Sequence, residues 1–400
     1  MTVSLLPSTP QGAVPVPPSK SMAHRLLICG ALAEGKSVIE NVAFSEDILA
    51  TVDCLTALGA IFEISGDTVT VTGCAGRPKA ADVLPCRESG STLRFLLPLC
   101  LLSGGGVLTG SGRLPQRPLT VYEDLFLPRG VSLQRTAGRI ALSGTLLPGD
   151  FAVPGNVSSQ FLTGLLFALP LLAEDSRIIS TTPLESASYL LLTLAALKQA
   201  GIRVERPDER TFLIPGNQRY RALRGRVEGD ESNAAFLGAL NLVGGAVTLR
   251  GRAPETLQGD RVWEDCFRRL SEEKCVLSVA DCPDLAPILM TVAALCHGGR
   301  LTDTRRLKIK ESDRGAVMAE ELAKFGARIR VEENFIEIEK SPLYPPEIPL
   351  NGHNDHRIVM SLAVLACRYG GVIEGAEACR KSYPDFFEVL RNLKVRLEEL

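Results

Sequence analysis

The chain has 400 residues, of which 45% are hydrophobic and 22% are charged, enough for two globular domains with full cores. Lys and Arg number 44 against 46 Asp and Glu, which gives a net charge of −2. This balance argues against binding to nucleic acid or to a membrane surface through excess positive charge. No apolar run is long enough to span a bilayer, and the N-terminus lacks the features of a signal peptide. We therefore expect a cytoplasmic protein.

Eleven cysteines occur without a Cys-x-x-Cys motif. Cys29, Cys100, Cys296 and Cys367 lie in apolar segments that are typical of helices, where a free thiol packs as a small hydrophobic group. We therefore expect reduced thiols, not disulfides or a metal site.

One unit recurs along the chain: a polar helix start, an apolar helix, a glycine and a short strand. Its first copy covers residues 17–41, with the helix at 26–33 and the strand at 37–39. Counted from Ser21, the copies recur every 68 to 71 residues apart from one interval of 54. This regularity indicates internal duplication. The later copies begin at Ser91, Ser159, Asp230, Asp284 and Asp355.

A second, amphipathic helix lies between the copies and is followed by two short strands with hairpin signals. The copy at 261–279 is degenerate, and a truncated copy closes the chain at 384–397. Six such units predict an α/β protein of two similar lobes with three units each, with the apolar helices inside and a break at 224–228. The amphipathic helices are predicted at residues 47–59, 119–130, 189–201 and 313–326.

The polar helix starts suggest where a ligand binds. If equivalent helices point the same way, their N-termini converge, and each end carries about half a positive charge and unpaired N–H groups. Two lobes that face each other in this way would form an anion-binding cleft. Arg25 and Arg94 stand in first turns, where cations oppose the helix dipole, and such a misfit is expected where a site binds anions. Arginines, lysines and two separated carboxylates together fit acid/base chemistry on two anionic substrates.

Simpler explanations of these residues stay open at this point. A solvated charged face would explain Lys20, Ser21 and Arg25. Helix capping alone would explain Ser91, Ser159, Asp230 and Asp284. A surface ion-pair cluster would explain Lys310, Glu311 and Arg314.

Other kinds of site have weaker support. His353 and His356 suggest a metal pair, but no third histidine lies near and Arg357 would repel a cation. Residues 12–21 resemble the end of a phosphate-binding loop but have prolines in place of N–H donors. A dinucleotide fingerprint and a nucleophile elbow are both missing.

A series of motifs in order resembles the 5-enolpyruvylshikimate-3-phosphate synthase family. The resemblance covers the chain from about residue 15 to about residue 390. The motifs are S-K-S-x-x-x-R (19–25), E-S-G-S-T-L-R (88–94), Q-R-P (116–118), S-S-Q-F (158–161), E-G-D (228–230), P-D (283–284), K-E-S-D-R (310–314), N-D-H-R (354–357) and K-S-Y-P-D (381–385).

The resemblance implies an inverse α/β barrel fold with the active site in the cleft between two domains. It implies lobes at 17–227 and at 1–16 plus 228–400, with a hinge at about 16–17 and 225–229. The reaction implied is transfer of the carboxyvinyl group of phosphoenolpyruvate to the 5-hydroxyl of shikimate 3-phosphate, with release of phosphate. This is a step of the shikimate pathway to chorismate and aromatic amino acids, and glyphosate targets it. No metal or organic cofactor is implied, and a monomer is favoured.

The resemblance also implies roles for single residues. Asp284 would be the base and Glu311 the acid, with Lys20 assisting. Phosphoenolpyruvate would be bound by Lys20, Gly90, Arg117, Gln160, Arg314, Arg357 and Lys381. Shikimate 3-phosphate would be bound by Lys20, Ser21, Arg25, Ser158, Ser159, Gln160, Ser186, Tyr189, Asp284 and Lys310.

Departures from the family pattern leave Glu88 and Arg306 without an assigned role, and Ser188 replaces a usual proline near Tyr189.

One alternative function is the enolpyruvyl transferase of the same fold that acts on UDP-N-acetylglucosamine. That enzyme carries a cysteine in the loop before its Arg-Pro, where this chain has no thiol at 112–116. The other alternative is a non-catalytic anion-binding scaffold, which would have no use for carboxylates beside the cations.

Overall fold

The computed structural model describes residues 1–400, which divide into two compact units. The first unit is Pro18–Glu228, and the second unit combines Met1–Pro17 with Gly229–Leu400. The chain therefore passes between the units twice, after Pro17 and after Glu228. A hinge at these two places stays a prediction.

Two kinds of helix alternate along most of the chain. The helices are α1 (Lys20–Leu32), α2 (Glu46–Ala57), α3 (Gly90–Cys100), α4 (Thr120–Phe126), α5 (Ser159–Ala168), α6 (Ala187–Gln199), α7 (Glu231–Ala239), α8 (Trp263–Glu272), α9 (Ala286–Leu295), α10 (Arg314–Ala323), α11 (His356–Tyr369) and α12 (Phe386–Asn392). The apolar repeats are the odd-numbered helices, and the amphipathic helices are the even-numbered ones. The longest, α11, has 14 residues, and no helix has both the length and the apolar character needed to cross a membrane.

The strands are short, and most lie between the helices as the repeat predicts. They are β1 (Thr2–Leu5), β2 (Gln11–Pro15), β3 (Lys36–Glu40), β4 (Ile61–Ser65), β5 (Thr68–Thr72), β6 (Ala81–Pro85), β7 (Gly105–Thr109), β8 (Ser132–Thr136), β9 (Arg139–Ser143), β10 (Asp150–Val153), β11 (Ser176–Ser180), β12 (Thr211–Ile214), β13 (Arg224–Arg226), β14 (Ala246–Arg250), β15 (Cys275–Ser278), β16 (Gly299–Thr302), β17 (Arg328–Val331), β18 (Phe335–Glu339), β19 (Leu350–Asn351), β20 (Gly371–Glu374) and β21 (Leu397–Glu399).

Each unit contains three small sheets built on one plan. In the first unit the strand orders are β13-β3-β5-β4, β6-β7-β9-β8 and β10-β11-β12, and in the second they are β19-β20-β1-β21, β15-β16-β18-β17 and β14-β2. Every sheet begins with a parallel pair, and all but β14-β2 continue with antiparallel strands. The N-terminal strands β1 and β2 pair with β20 and β14, so the first residues of the chain complete two sheets of the second unit.

The apolar helices form the interior of each unit, as the duplication predicts. In α9 (APILMTVAAL) residues 286–294 are all buried, because a helix that is apolar on every side has no face to present to water. The amphipathic α8 buries one stripe only, made by Trp263, Cys266, Phe267 and Leu270. Separate hydrophobic cores result, one in each unit. All eleven cysteines are free thiols.

One predicted pair of strands forms only in part. The segment at 202–216 was expected to give two short strands, but only β12 forms there, with an isolated bridge between Glu205 and Leu213. Gln218 explains the difference, because its Oε1 accepts from the Arg203 N–H at 2.8 Å and its Nε2 donates to the Arg203 carbonyl at 2.9 Å. Both backbone groups of Arg203 are therefore unavailable to a strand partner, and Pro207 lacks an N–H donor.

Candidate active site

The helix starts are capped by residues that differ in part from those expected. Ser19, Ser89 and Ser158 cap α1, α3 and α5 through their hydroxyl oxygens. The capping alternative for Ser91 and Ser159 is therefore wrong, since both lie inside the first turn. Asp230 does cap its helix, because its Oδ1 accepts from the Asn233 N–H at 2.8 Å.

Arg25 is a buried cation in the first unit and has only neutral partners. Its Nε donates to the Thr193 hydroxyl at 2.9 Å, and its two amino groups donate to the carbonyls of Ser21 and Tyr189 at 2.6 and 2.9 Å. Its guanidinium also lies 5.3 Å from the centre of the Phe95 ring. Burial lowers the pKa of Arg25 to about 10. A buried guanidinium without a carboxylate is poised to bind an anion, and the solvated-face explanation is wrong for this residue.

Lys20, at the start of the same helix, is held by an acid. Its Nζ lies 2.7 Å from Oδ2 of Asp47, and neither side chain is more than 16% exposed. Asp47 belongs to the first turn of α2. The bond therefore joins the starts of α1 and α2.

Gly90 and Arg117 meet at the start of α3. A Cβ atom built on Gly90 would lie 2.3 Å from Nη1 of Arg117, so only glycine lets the guanidinium lie this close to the helix end. Arg117 is only 7% exposed. The structure thus places a cation against the positive end of a helix, an arrangement that suits a shared anion.

Gln160 links the starts of α3 and α5. Its Nε2 donates to the Ser91 hydroxyl at 3.0 Å, and its Oε1 accepts from Arg94 at 2.7 Å. Arg94 also donates to the Pro118 carbonyl at 3.0 Å and lies over the Phe161 ring. Arg94 therefore connects the start of α5 with the segment before α4.

Ser186 and Tyr189 open α6 beside Arg25. Ser186 has a left-handed backbone with φ of 58°, which is uncommon for a residue other than glycine. The Tyr189 carbonyl accepts from Arg25, so the first turn of α6 is bonded to α1. Ser158 and Ser159 lie at the start of α5, as the cap and the first residue.

Arg314 is the centre of a buried charge cluster in the second unit. It is 1% exposed, and its three nitrogens donate to Oδ1 of Asp284 at 2.7 Å, Oε2 of Glu311 at 2.7 Å and Oδ2 of Asp355 at 2.9 Å. Burial acts to lower the pKa of Arg314, but the three carboxylates raise it overall. The surface-cluster explanation for Lys310, Glu311 and Arg314 is therefore wrong.

Asp284 receives two further cations. Lys310 Nζ lies 3.2 Å from its Oδ1, and Arg357 Nη2 lies 3.1 Å from its Oδ2. Burial lowers the pKa of Lys310 to about 8. Asp284 is not a helix cap, and its carboxylate lies among three positive charges.

Lys381 and the loop before α11 complete the cluster of the second unit. Lys381 Nζ donates to the Asn354 carbonyl at 2.6 Å. His353 and Asn354 both have left-handed backbones, with φ of 48° and 52°. His353 contacts Glu321 and His356 lies beside Asp355, so the two imidazoles have different acidic neighbours.

In each unit, hydrogen bonds therefore bring together the starts of helices and most of the predicted site residues. The sequence had not singled out Asp47, and it had presented Asp355 only as a helix start. Asp355 carried a usable signal, since it opens the last apolar repeat. Asp47 stood in a first turn where acids are common, and nothing in the sequence marked it.

Comparisons with known proteins place the chain in a family. Residues 7–390 match the family model described as EPSP synthase (3-phosphoshikimate 1-carboxyvinyltransferase). The chain is 40% identical to the 3-phosphoshikimate 1-carboxyvinyltransferase of Clostridium kluyveri over 424 aligned positions, which cover 99% of this chain and 98% of that protein. It is 37% identical to the one from Clostridioides difficile over 432 positions, covering 100% and 98%. The structure of EPSP synthase from Acinetobacter baumannii has a similar fold, with a TM-score of 0.77, 23% identity and full coverage of both chains.

Proposed function

This chain belongs to the EPSP synthase (3-phosphoshikimate 1-carboxyvinyltransferase) family, and on that premise we propose how its own side chains carry out the reaction. The family transfers the carboxyvinyl group of phosphoenolpyruvate to the 5-hydroxyl of shikimate 3-phosphate and releases phosphate. The observation that carries the proposal is Arg314, which holds the carboxylates of Asp284 and Glu311 at 2.7 Å each.

The two carboxylates have opposite tasks. The C2 atom of phosphoenolpyruvate becomes electrophilic only as C3 gains a proton, so an acid must reach C3 while a base takes the proton of the attacking hydroxyl. Glu311 is the proposed acid, with Lys20 assisting, and Asp284 is the proposed base. Attack forms a tetrahedral intermediate. The intermediate then returns a proton from C3 to Glu311 and loses phosphate. The leaving phosphate takes up the proton that Asp284 had received from the hydroxyl, which completes the transfer.

Substrate binding would prepare Glu311 for its task. In the structure Arg314 donates to Glu311, which favours the ionised carboxylate. A substrate carboxylate that pairs with Arg314 would take over this bond, and the released carboxyl group of Glu311 would gain a proton more readily. The substrate thus helps to form its own acid.

The anionic groups would be held by the buried cations and helix starts. For phosphoenolpyruvate we propose Lys20, Gly90, Arg117, Gln160, Arg314, Arg357 and Lys381. For shikimate 3-phosphate we propose Lys20, Ser21, Arg25, Ser158, Ser159, Gln160, Ser186, Tyr189, Asp284 and Lys310. Arg25 supports this most directly, because a desolvated guanidinium with neutral partners gains most from an anion.

Phosphate release tests the proposal. Mixed with phosphoenolpyruvate and shikimate 3-phosphate, the protein should release phosphate, and it should release none when UDP-N-acetylglucosamine replaces shikimate 3-phosphate. Binding of both ligands without turnover would instead favour an anion-binding scaffold.

The proposal also covers the oligomeric state, the location in the cell and the kinds of partner. We propose a monomer that works in the cytoplasm on these small molecules, without nucleic acid, membrane, metal or organic cofactor. The net charge of −2 supports the absence of nucleic acid. Light scattering during size-exclusion chromatography would test the monomer.

A further inference from the structure

The second unit contains a fully buried carboxylate, that of Glu321, which has no part in the reaction proposed above. Glu321 lies in α10, two helical turns after Arg314. The two side chains therefore leave the same face of the helix about 10 Å apart along its axis. One rigid helix thus carries both the charge centre of the active-site cluster and a second buried acid.

Glu321 holds the segment that leads into α11. Its Oε2 accepts from the Asn351 N–H at 2.9 Å, and its Oε1 lies 2.9 Å from Nε2 of His353. Because a carboxylate only accepts, Nε2 carries the hydrogen of that bond. Lys324 Nζ neutralises the acid from 2.8 and 2.9 Å and also donates to the Pro349 carbonyl at 3.0 Å.

The same helix holds the other end of this segment through Arg314. Arg314 Nε donates to Oδ2 of Asp355 at 2.9 Å. The loop at 351–355 is therefore attached to α10 at both ends. Between the two attachments, His353 and Asn354 both adopt the left-handed backbone. Two such residues in succession persist only where the surroundings impose them.

The left-handed pair directs a carbonyl at Lys381. Lys381 Nζ donates to the Asn354 oxygen at 2.6 Å, and the lysine is only 8% exposed. We propose that Glu321 is a positioning residue, which through Asn351 and His353 holds Asn354 in the conformation that aims Lys381 at phosphoenolpyruvate. This inference rests on the role proposed above for Lys381.

The substitution Glu321→Gln tests the inference. An amide keeps the shape but loses the charge, and its NH₂ group cannot accept the hydrogen bonds that one carboxylate oxygen accepts now. We expect KM for phosphoenolpyruvate to rise by about tenfold, the effect of losing one hydrogen bond to a charged group. KM for shikimate 3-phosphate should change by less than about twofold, since Lys381 is not assigned to that substrate. A parallel rise of both KM values would indicate general loosening and overturn the inference.

Glu337→Gln is the matched control. Glu337 in β18 is 13% exposed and pairs with Lys274 and Arg300, away from the charge cluster but in the same unit. Its substitution should leave both KM values unchanged. The same selective rise in KM for phosphoenolpyruvate in this variant would contradict a specific role for Glu321.

A double-mutant cycle with Lys381→Met separates this inference from the proposed function. If Glu321 acts through Lys381, Glu321→Gln should raise KM for phosphoenolpyruvate no further in the Lys381→Met background. Additive effects would overturn the inference. If Lys381→Met alone leaves that KM unchanged, the role proposed for Lys381 fails. If only Lys381→Met has an effect, the inference about Glu321 fails and the role of Lys381 stands.

Discussion

The two units use one duplicated plan, yet their buried arginines have opposite surroundings. Arg25 in the first unit donates only to a hydroxyl and two carbonyls. Arg314 in the second unit is bonded to three carboxylates. Both guanidiniums are at most 2% exposed. The two positions are not equivalent in the repeat, since Arg25 lies within the apolar helix α1 and Arg314 opens the amphipathic helix α10. We propose that a buried guanidinium binds an anion where no acid is near and orients acids where several are near.

This contrast separates binding from proton transfer. A cation with neutral partners is free to pair with a substrate phosphate, whereas a cation shared by Asp284 and Glu311 fixes the spacing of an acid and a base. Under the proposed function, the acids near Arg314 would give the second unit its part in proton transfer.

The largest effect should come from removing the carboxylates. Asp284→Ala and Glu311→Ala should each lower kcat by about 10²-fold or more, because each removes one proton-transfer group. Ser21→Ala in the first unit should instead raise KM for shikimate 3-phosphate with kcat nearly unchanged. Phosphate release under steady-state conditions measures both, with circular dichroism to verify folding. Near-normal turnover of the Asp284 or Glu311 variant would remove that residue from the mechanism.

Stability should distinguish the two arginines. Arg314→Met leaves the buried carboxylate of Asp355 and the half-buried carboxylates of Asp284 and Glu311 without their shared partner, and it should lower the unfolding free energy by about 3–5 kcal/mol. Arg25→Met removes a buried charge that has no ionic partner, so relief of its desolvation offsets the lost hydrogen bonds and the change should be below about 1.5 kcal/mol. Urea unfolding measures both variants. Equal losses would mean that the contrast in partners has no energetic meaning.

The fold could be predicted because its main signal repeats. An apolar helix followed by a short strand occurs six times, five of them with glycine between the two. The helix α9 has no polar face that would allow another location. Local choices were harder to predict. In the sequence S-K-S, either Ser19 or Ser21 could cap α1, and only the extended backbone of Ser19 decides between them. The first of the two strands expected after α6 is reduced to a single bridge because the side chain of Gln218 bonds both backbone groups of Arg203.

The sequence predicted which residues belong to the candidate site better than it predicted which side chains they bond to. Lysines and arginines at helix starts pointed to an anion, and the motifs supplied Asp284 and Glu311. Long side chains, however, reach partners that are remote in sequence. Arg94 resembled Arg25 in the sequence but donates to Gln160 and Pro118. Asp47 became visible only through its bond to Lys20. These pairings depend on how helices pack, which the pattern of one segment does not contain.

A smaller effect is expected at the helix start of the first unit. Gly90→Ala places a Cβ atom where Nη1 of Arg117 now lies, so the guanidinium must move. We expect KM for phosphoenolpyruvate to rise by about tenfold, as for the loss of one charged hydrogen bond. KM for shikimate 3-phosphate should be almost unchanged. Glyphosate should compete with phosphoenolpyruvate in the wild type and more weakly in the variant. An unchanged KM for phosphoenolpyruvate would show that Arg117 is not held by this contact.

The smallest effect concerns the dependence of stability on pH in the second unit. Burial lowers the pKa of Lys310 to about 8, whereas a lysine in the unfolded chain titrates near 10.4. Between these values the unfolded chain binds more protons, so the contribution of Lys310 to stability rises with pH, and its cost is fully present below about pH 8.

The difference in unfolding free energy between Lys310→Met and wild type isolates the contribution of Lys310, because the buried thiols titrate alike in both proteins. The variant should be more stable than wild type by about 1–2 kcal/mol at pH 7, after allowance for solvent screening, and this advantage should disappear near pH 10.4. Arg25→Met should show no such change between pH 7 and 9, because the pKa of Arg25 is about 10. Urea unfolding at several pH values measures these differences. A constant difference between Lys310→Met and wild type would mean that the Asp284 carboxylate compensates the desolvation of Lys310, and the charge cluster would then stabilise the second unit as well as serve its chemistry.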